Sequence, residues 1–291
     1  MSPLRDVIAR HGLAAKHGLG QHFLLDGNLT DRIVRCCGDL SGRWVLEVGP
    51  GPGGLTRSLL ASNAAHVVAV ELDPRAIGAL EELRAIAPER LTVVAGDALR
   101  IDAVALLPAP RVICANLPYN VATPLLIGWL RRAADFERMV LMFQREVAER
   151  ICAAPDTPAY GRLSVLAQFL CRAELGLRLP PAAFVPPPQV HSAVVVLTPH
   201  GQQPPAALVA AMEQVTAAAF GQRRKMLRSS LKGLGGLALL EAAAIDPRRR
   251  AETLTIAEFA KLARACEAGV ELEGQGPVTS LEQGGGRPRG A

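Results

Sequence analysis

The sequence predicts a doubly wound α/β domain on a mostly parallel sheet, followed by a small all-α domain. Three observations carry this expectation. From residue 44 onward short β-branched runs alternate with amphipathic segments, the order that produces parallel strands joined by right-handed crossovers. The first of those runs turns towards a helix through a glycine-rich stretch, EVGPGPGG (47–54). Beyond residue 205 the strand-like runs stop, and apolar residues recur at spacings of three and four.

Strands are expected at WVLEVG (44–49), HVVAVE (66–71), LTVVAG (91–96), RVICAN (111–116) and RMVLMF (138–143). These are continuous apolar runs, as strands buried on both faces require. The helices between them are read in LTRSLLA (55–61), in the segment after Pro74 and in PLLIGWLRRA (124–133). REVAERICA (145–153) and RLSVLAQFLC (162–171) read as helices on either side of the loop APDTPAYG. ELGLRL (174–179) and SAVVVL (192–197) read as two strands that close one sheet edge, flanking PPAAFVPPPQVH (180–191).

The stretch TPHGQQPP (198–205) combines Pro, Gly and polar residues without periodicity and marks a domain boundary. A first domain over 1–200 and a helical domain over 201–268 follow, with helices expected at 206–220, 221–234, 237–244 and 255–267. Residues 269–291 turn to Gly, Glu and Pro and are expected to form a disordered tail.

A length of 291 residues with 49% hydrophobic and 20% charged residues supplies apolar material for about two domains and excludes a disordered chain. No run approaches the ~20 uncharged apolar residues of a membrane span, and Asp6 and Arg10 interrupt any signal-peptide core. A cytoplasmic protein without a membrane partner is expected. Six cysteines without a CxxC spacing predict buried free thiols rather than a disulfide framework or a metal site, with Cys36 and Cys37 on a helix face. The 32 basic and 27 acidic residues leave a net charge of +5, and residues 201–250, with eight basic and three acidic, hold the whole excess. A local basic patch of this kind fits a phosphate partner.

The glycine-rich stretch fits two cofactors on spacing alone. Gly49, Gly51 and Gly54 satisfy the GxGxxG pattern, and Glu71 follows Gly51 by 20 residues at the end of the next strand, placed to bond the two ribose hydroxyls of NAD or of S-adenosylmethionine. Three features favour S-adenosylmethionine. Pro50 and Pro52 stiffen the loop into a wide turn, unsuited to close backbone contact with a pyrophosphate. Glu47 ends the first strand, where its carboxylate is expected to hold the loop by accepting amide hydrogen bonds. Asp97 follows the third strand, placed to accept from an adenine amino group while the Ala98 amide donates to the ring, although an Asp there also serves as a helix N-cap.

Asn116-Leu117-Pro118-Tyr119 follows the fourth strand. Methylating an exocyclic amine is hard because the nitrogen lone pair is delocalised into the purine ring. The Asn116 side-chain oxygen and the Leu117 carbonyl, held by Pro118, can accept both N–H hydrogens and turn the lone pair towards a methyl donor. Tyr119 is expected to stack on the base, with Phe184 in the Pro-stiffened loop as its other wall, or else as a core anchor of that loop.

Together these motifs resemble the ribosomal RNA adenine N6,N6-dimethyltransferase family. The match runs from about Lys16 to about Lys232. It includes Gly20-Gln21-His22-Phe23-Leu24, the FVPPPQVHS loop and FGQRRKMLR (220–228). The resemblance implies a Rossmann-like S-adenosylmethionine-dependent methyltransferase domain that transfers two methyl groups to each target adenine. It implies that His22 and Leu24 cover the methionine end of the cofactor, with Asn116 also at the cofactor. The bacterial small-subunit branch shares FxPPPxVxS and FxQRRKxLRxxL, which implies two adjacent adenines in a 3′-terminal hairpin of 16S rRNA, in the small subunit or its precursor, as substrate. A monomer is expected.

Arg223, Arg224, Lys225, Arg228 and Lys232 are expected along one flank and the start of a helix, facing the rRNA phosphates, with Met226, Leu227 and Leu231 on its core side. Three other readings compete. A 23S rRNA methyltransferase of the macrolide-resistance type shares the tetrad, a NAD-dependent oxidoreductase leaves the tetrad and basic segment idle, and a non-catalytic nucleic-acid binder leaves Asn116 without a task.

Overall fold

A computed structural model describes residues 1–13 and 22–274 of the chain. It opens with α1 (Leu4–Arg10), a two-residue strand β1 (Phe23–Leu24) and α2 (Gly27–Arg35), where the Asp26 carboxylate caps the helix by accepting the Asn28 amide. The predicted alternation follows as β2 (Trp44–Val48), α3 (Gly54–Ala61), β3 (His66–Glu71), α4 (Pro74–Ile86), β4 (Leu91–Ala95), α5 (Ala103–Leu106), β5 (Arg111–Asn116), α6 (Tyr119–Leu130) and β6 (Arg138–Gln144). Next come α7 (Arg145–Ile151), α8 (Arg162–Leu170), β7 (Cys171–Leu179), β8 (Phe184–Val185) and β9 (Ser192–Pro199). The chain continues through α9 (Ala206–Gly221), α10 (Leu227–Ser230), α11 (Gly236–Ala242) and α12 (Ile256–Gly274). Cys36 caps the end of α2 and Cys37 lies beyond it, so the pair marks the stop of a helix rather than its face.

Seven strands form one sheet in the order β4-β3-β2-β5-β6-β9-β7. The first five of these run parallel, and β9 and β7 add antiparallel at the edge, as expected from the last two strand-like runs. Alternate residues feed two cores. Leu46, Val48, Ile113 and Leu141 pack on one face with Trp129 of α6, while Val45, Val67, Val112 and Val140 pack on the other with Leu55 and Leu59 of α3. Burial on both faces is why these strands read as unbroken apolar runs.

The C-terminal helices have their own core, built on Met212, Leu227, Leu240 and Phe259, but Ala153, Tyr160 and Val165 belong to it too. The Tyr160 hydroxyl donates to the Leu254 carbonyl at 2.9 Å. The helical part is therefore seated on the α7–α8 region. Helix α12 reaches Gly274, past the expected start of the tail at 269; residues 275–291, like Gly20 and Gln21, lie outside the described residues. No helix among the described residues is long and apolar enough to cross a membrane.

Candidate active site

Strand β2 pairs with β3 on one side and β5 on the other, so the chain order reverses across it and a crevice opens at the strands' carboxyl ends. The glycine loop after β2 and the Asn116–Tyr119 tetrad after β5 meet there. A Cβ on Gly49, which has φ +66°, would lie 3.0 Å from Pro118 Cδ, so only glycine lets the two loops close on each other. Their cavity is lined by His22, Leu24, Gly49 and Gly51 as well as by Glu71, Asp97, Ala98 and all four residues of the tetrad.

The loop is held by a different acid from the one expected. Glu71 Oε2 accepts the Gly51 amide at 2.9 Å, and its Oε1 accepts the Leu72 and Asp73 amides at 2.8 and 2.9 Å. Three amides on one carboxylate leave lone-pair capacity facing the cavity. Glu47, expected to do this work, points instead to the face of β2 under α3, beside Thr56, where it is 1% exposed. Burial, with the Glu71 charge adding to it, pushes the Glu47 carboxyl up to about 8. Its Oε2 has no hydrogen-bond partner among the described residues although the residue lines the cavity. An orphaned buried acceptor beside the glycine loop suits a cationic ligand, and S-adenosylmethionine carries positive charge on its sulfonium and amino groups.

Asp97 Oδ1 accepts the Leu99 amide at 3.0 Å, closing the turn after β4, and Oδ2 lies 3.8 Å from Arg100. The turn-capping role and a place on the cavity wall thus coexist in one side chain.

The tetrad is ordered from outside itself. Asn116 Nδ2 donates to the His22 carbonyl at 3.1 Å, so the amide oxygen faces away from that bond, and neither it nor the Leu117 carbonyl has a partner among the described residues. The pairing of Phe23–Leu24 with Phe184–Val185 brings His22 to this place. The His22 ring is fixed by a 2.8 Å hydrogen bond between Nδ1 and the Pro186 carbonyl. It stands 5.5 Å from the Tyr119 ring, tilted by 32°, and 6.5 Å from Phe184, edge-on. Phe184 itself is 2% exposed and belongs to the sheet core, so in this structure it is the loop's anchor and His22 is the ring facing the cavity beside Tyr119. Burial raises the Tyr119 phenol above its ordinary value, partly offset by its bond to Ser192.

The basic segment is not the expected helix over 221–234. Helix α9 stops at Gly221, Arg223, Arg224 and Lys225 lie in a turn, and only Leu227–Ser230 resume helical geometry, followed by a 3₁₀ turn that holds Lys232. All five cations are exposed. Leu227 and Leu231 are buried as expected, but Met226, also expected inside, is 39% exposed because it precedes the short helix instead of continuing a long one. Arg223 donates to the Pro158 carbonyl at 2.7 Å, tying the turn to the loop before α8.

Two neighbours of the site went unread in the sequence. Phe23 packs against the glycine loop so closely that a Cβ on Gly51 would lie 2.9 Å from its ring, and buried Ser192 meets the Tyr119 hydroxyl at 2.6 Å. Both sit within recognised motifs, but nothing in their spacing marks them.

Comparison with known proteins bears on this geometry. A family model described as Ribosomal RNA adenine dimethylase matches residues 12–267. The chain is 64% identical over 260 residues to a ribosomal RNA small subunit methyltransferase A of Gluconobacter oxydans, covering 89% of this chain and 86% of the relative. It is 56% identical over 269 residues to the protein of that description in Rhodospirillum rubrum, covering 92% and 93%. Among solved structures, a dimethyladenosine transferase from Plasmodium falciparum is similar with a TM-score of 0.73 at 26% identity, over 83% of this chain and 96% of that one. The 23S rRNA methyltransferase ErmE is similar with a TM-score of 0.64 at 25% identity, over 84% and 99%.

Proposed function

Because this chain belongs to the ribosomal RNA adenine dimethylase family, and is an S-adenosylmethionine-dependent rRNA adenine dimethyltransferase of the small ribosomal subunit, we propose that it dimethylates N6 of two adjacent adenines in a 3′-terminal hairpin of 16S rRNA. The observation that carries this reading is the Asn116 amide. With Nδ2 committed to the His22 carbonyl, Asn116 Oδ1 and the Leu117 carbonyl have no partner among the described residues, and both residues line the cavity.

S-adenosylmethionine, when bound, supplies an electrophilic methyl group on a sulfonium sulfur. Glu71 and the glycine loop hold the ribose side, Asp97 and the Ala98 amide read the adenine of the cofactor, and His22 and Leu24 cover its methionine end. In the first transfer Asn116 and Leu117 accept the two N6 hydrogens of the target adenine, and in the second they share the one that remains, which localises the nitrogen lone pair, while Tyr119 stacks on the base. Phe184 supports that stack from beneath His22. No strong base stands in the tetrad, because an amine that has accepted a methyl group is acidic enough to lose its proton to water.

The target adenines must leave their stack to enter the cavity. The helical part, over about 201–268, with Arg223, Arg224, Lys225, Arg228 and Lys232, holds the rRNA backbone while they do so. One chain supplies every named group, which supports action as a monomer, and a small-subunit substrate sets the work in the cytoplasm.

The test is to map N6,N6-dimethyladenosine in rRNA from cells with and without the gene. Loss of the modification from 16S rRNA supports the reading; loss from 23S rRNA with 16S unchanged moves the chain to the other branch.

A further inference from the structure

Tyr119 begins α6 directly after Pro118, which fixes its backbone but leaves the side chain free to turn. Stacking needs only an aromatic ring, so the phenolic hydroxyl has no task in that role. In the structure this hydroxyl lies 2.6 Å from Ser192 Oγ. Ser192 is 0% exposed and is the first residue of β9, with its backbone paired to Gln144 of β6 on one side and Leu179 of β7 on the other. The carbonyl of the preceding residue, His191, accepts the Arg145 amide at 2.8 Å. The serine therefore offers a fixed point to the end of the Tyr119 side chain farthest from its backbone. The hydroxyl pair sets where the far end of the ring lies, and the His22 ring stands 5.5 Å from it, tilted by 32°.

We infer that Ser192 is a positioning residue for methyl transfer: through the hydroxyl of Tyr119 it holds the stacking ring against the end of an interior strand of the sheet. This rests on the reading of Tyr119 as the base-stacking residue. Ser192 touches neither substrate nor cofactor in this account, and its effect runs entirely through the tyrosine.

The test is a double-mutant cycle on the full-length protein, with small-subunit rRNA particles and S-adenosylmethionine. Ser192→Ala is expected to lower kcat roughly five- to tenfold, the rate equivalent of one lost hydrogen bond, with the KM for S-adenosylmethionine unchanged. Tyr119→Phe is expected to show a similar loss, and adding Ser192→Ala to it to cost less than about twofold more. A serine that matters only for packing would cost the same in both backgrounds. That result overturns the inference, as does full activity of Ser192→Ala. A second readout is near-ultraviolet titration of the phenols in the Tyr160→Phe background, which leaves Tyr119 as the single tyrosine. Ser192→Ala should move the ionisation of Tyr119 upward, because the serine no longer donates to the phenolate; an unmoved midpoint argues that no such bond forms in solution. Tyr119→Ala separates the two levels of the argument. Full activity there removes the stacking role and this inference with it, whereas lost activity there with a silent Ser192→Ala overturns the role of Ser192 alone.

Discussion

Asn116 Nδ2 donates to the backbone carbonyl of His22 at 3.1 Å, so an N-terminal residue more than ninety positions away fixes which way round the amide lies. An asparagine free to flip would present its donor and its acceptor in turn, and a donor facing the substrate would repel the very amino group it has to grip.

Replacing Asn116 by Ala removes one of the two acceptors while leaving the glycine loop and Glu71 intact. The expected result is a fall in kcat of at least about 100-fold, the scale of losing one preorganised polar group at the reacting atom. S-adenosylhomocysteine affinity, measured by calorimetry, should change by less than about threefold. A large loss of cofactor affinity with turnover preserved at saturation would place Asn116 at the cofactor alone.

Glu71 clamps the Gly51 amide with one oxygen and the Leu72 and Asp73 amides with the other. Glu71→Gln keeps the size but replaces one acceptor by a donor, so the loop loses a charge-assisted bond and the ribose its carboxylate. Affinity for S-adenosylmethionine should drop about tenfold or more. Wild-type affinity in the Gln variant would show that neither interaction matters.

Glu47, raised to about 8 by burial, is neutral at pH 7 before cofactor binds. A cationic ligand in the adjoining cavity favours the carboxylate, so binding should release protons, and S-adenosylmethionine should release more than S-adenosylhomocysteine, which lacks the sulfonium charge. Calorimetry at pH 7 in two buffers of different ionisation enthalpy measures this directly. The same shift has a consequence for stability. The folded chain keeps a proton on Glu47 that the unfolded chain has lost, so from about pH 5 to about 8 this group lowers stability as pH rises, at up to about 1.4 kcal/mol per pH unit. Glu47→Gln should flatten that slope in urea unfolding experiments; an unchanged slope would mean that Glu47 ionises normally.

The exposed cations of the 223–232 segment should act on phosphate rather than on sequence. Changing Arg224 and Lys225 to Ala is expected to weaken rRNA binding and to flatten the dependence of log affinity on log salt by roughly one for each phosphate no longer neutralised. Arg223 is committed in part to the Pro158 carbonyl, so its removal should also loosen the turn itself. An unaltered salt slope in the double variant would move the rRNA-binding surface elsewhere.

The parallel strands and the site at their carboxyl ends were legible because burial on both faces forces unbroken apolar runs and because the glycines and the Asn-Leu-Pro-Tyr tetrad must follow strands. The pairing of β1 with β8 was not, since two residues meeting two others more than 150 positions away leave no periodic signal. That pairing is what puts His22, rather than Phe184, on the cavity wall. Glu71 ends β3 and Glu47 lies one residue short of the end of β2, and only strand alternation, which sends Glu47 to the side of Val45 beneath α3, decides which one reaches the loop. Leu227 and Leu231 suggested a long amphipathic helix, but the single turn Leu227–Ser230 with Leu231 as its C-cap satisfies that spacing, and Gly221 had already ended α9.

Methyl transfer here depends on two acceptors meeting one amino group. A crystal structure of the protein with S-adenosylhomocysteine and an RNA hairpin carrying the target adenines measures that geometry. The expected result is the adenine N6 within about 3 Å of both Asn116 Oδ1 and the Leu117 carbonyl, facing the cofactor sulfur. An adenine bound elsewhere, or an Asn116 side chain turned out of the cavity, would contradict it.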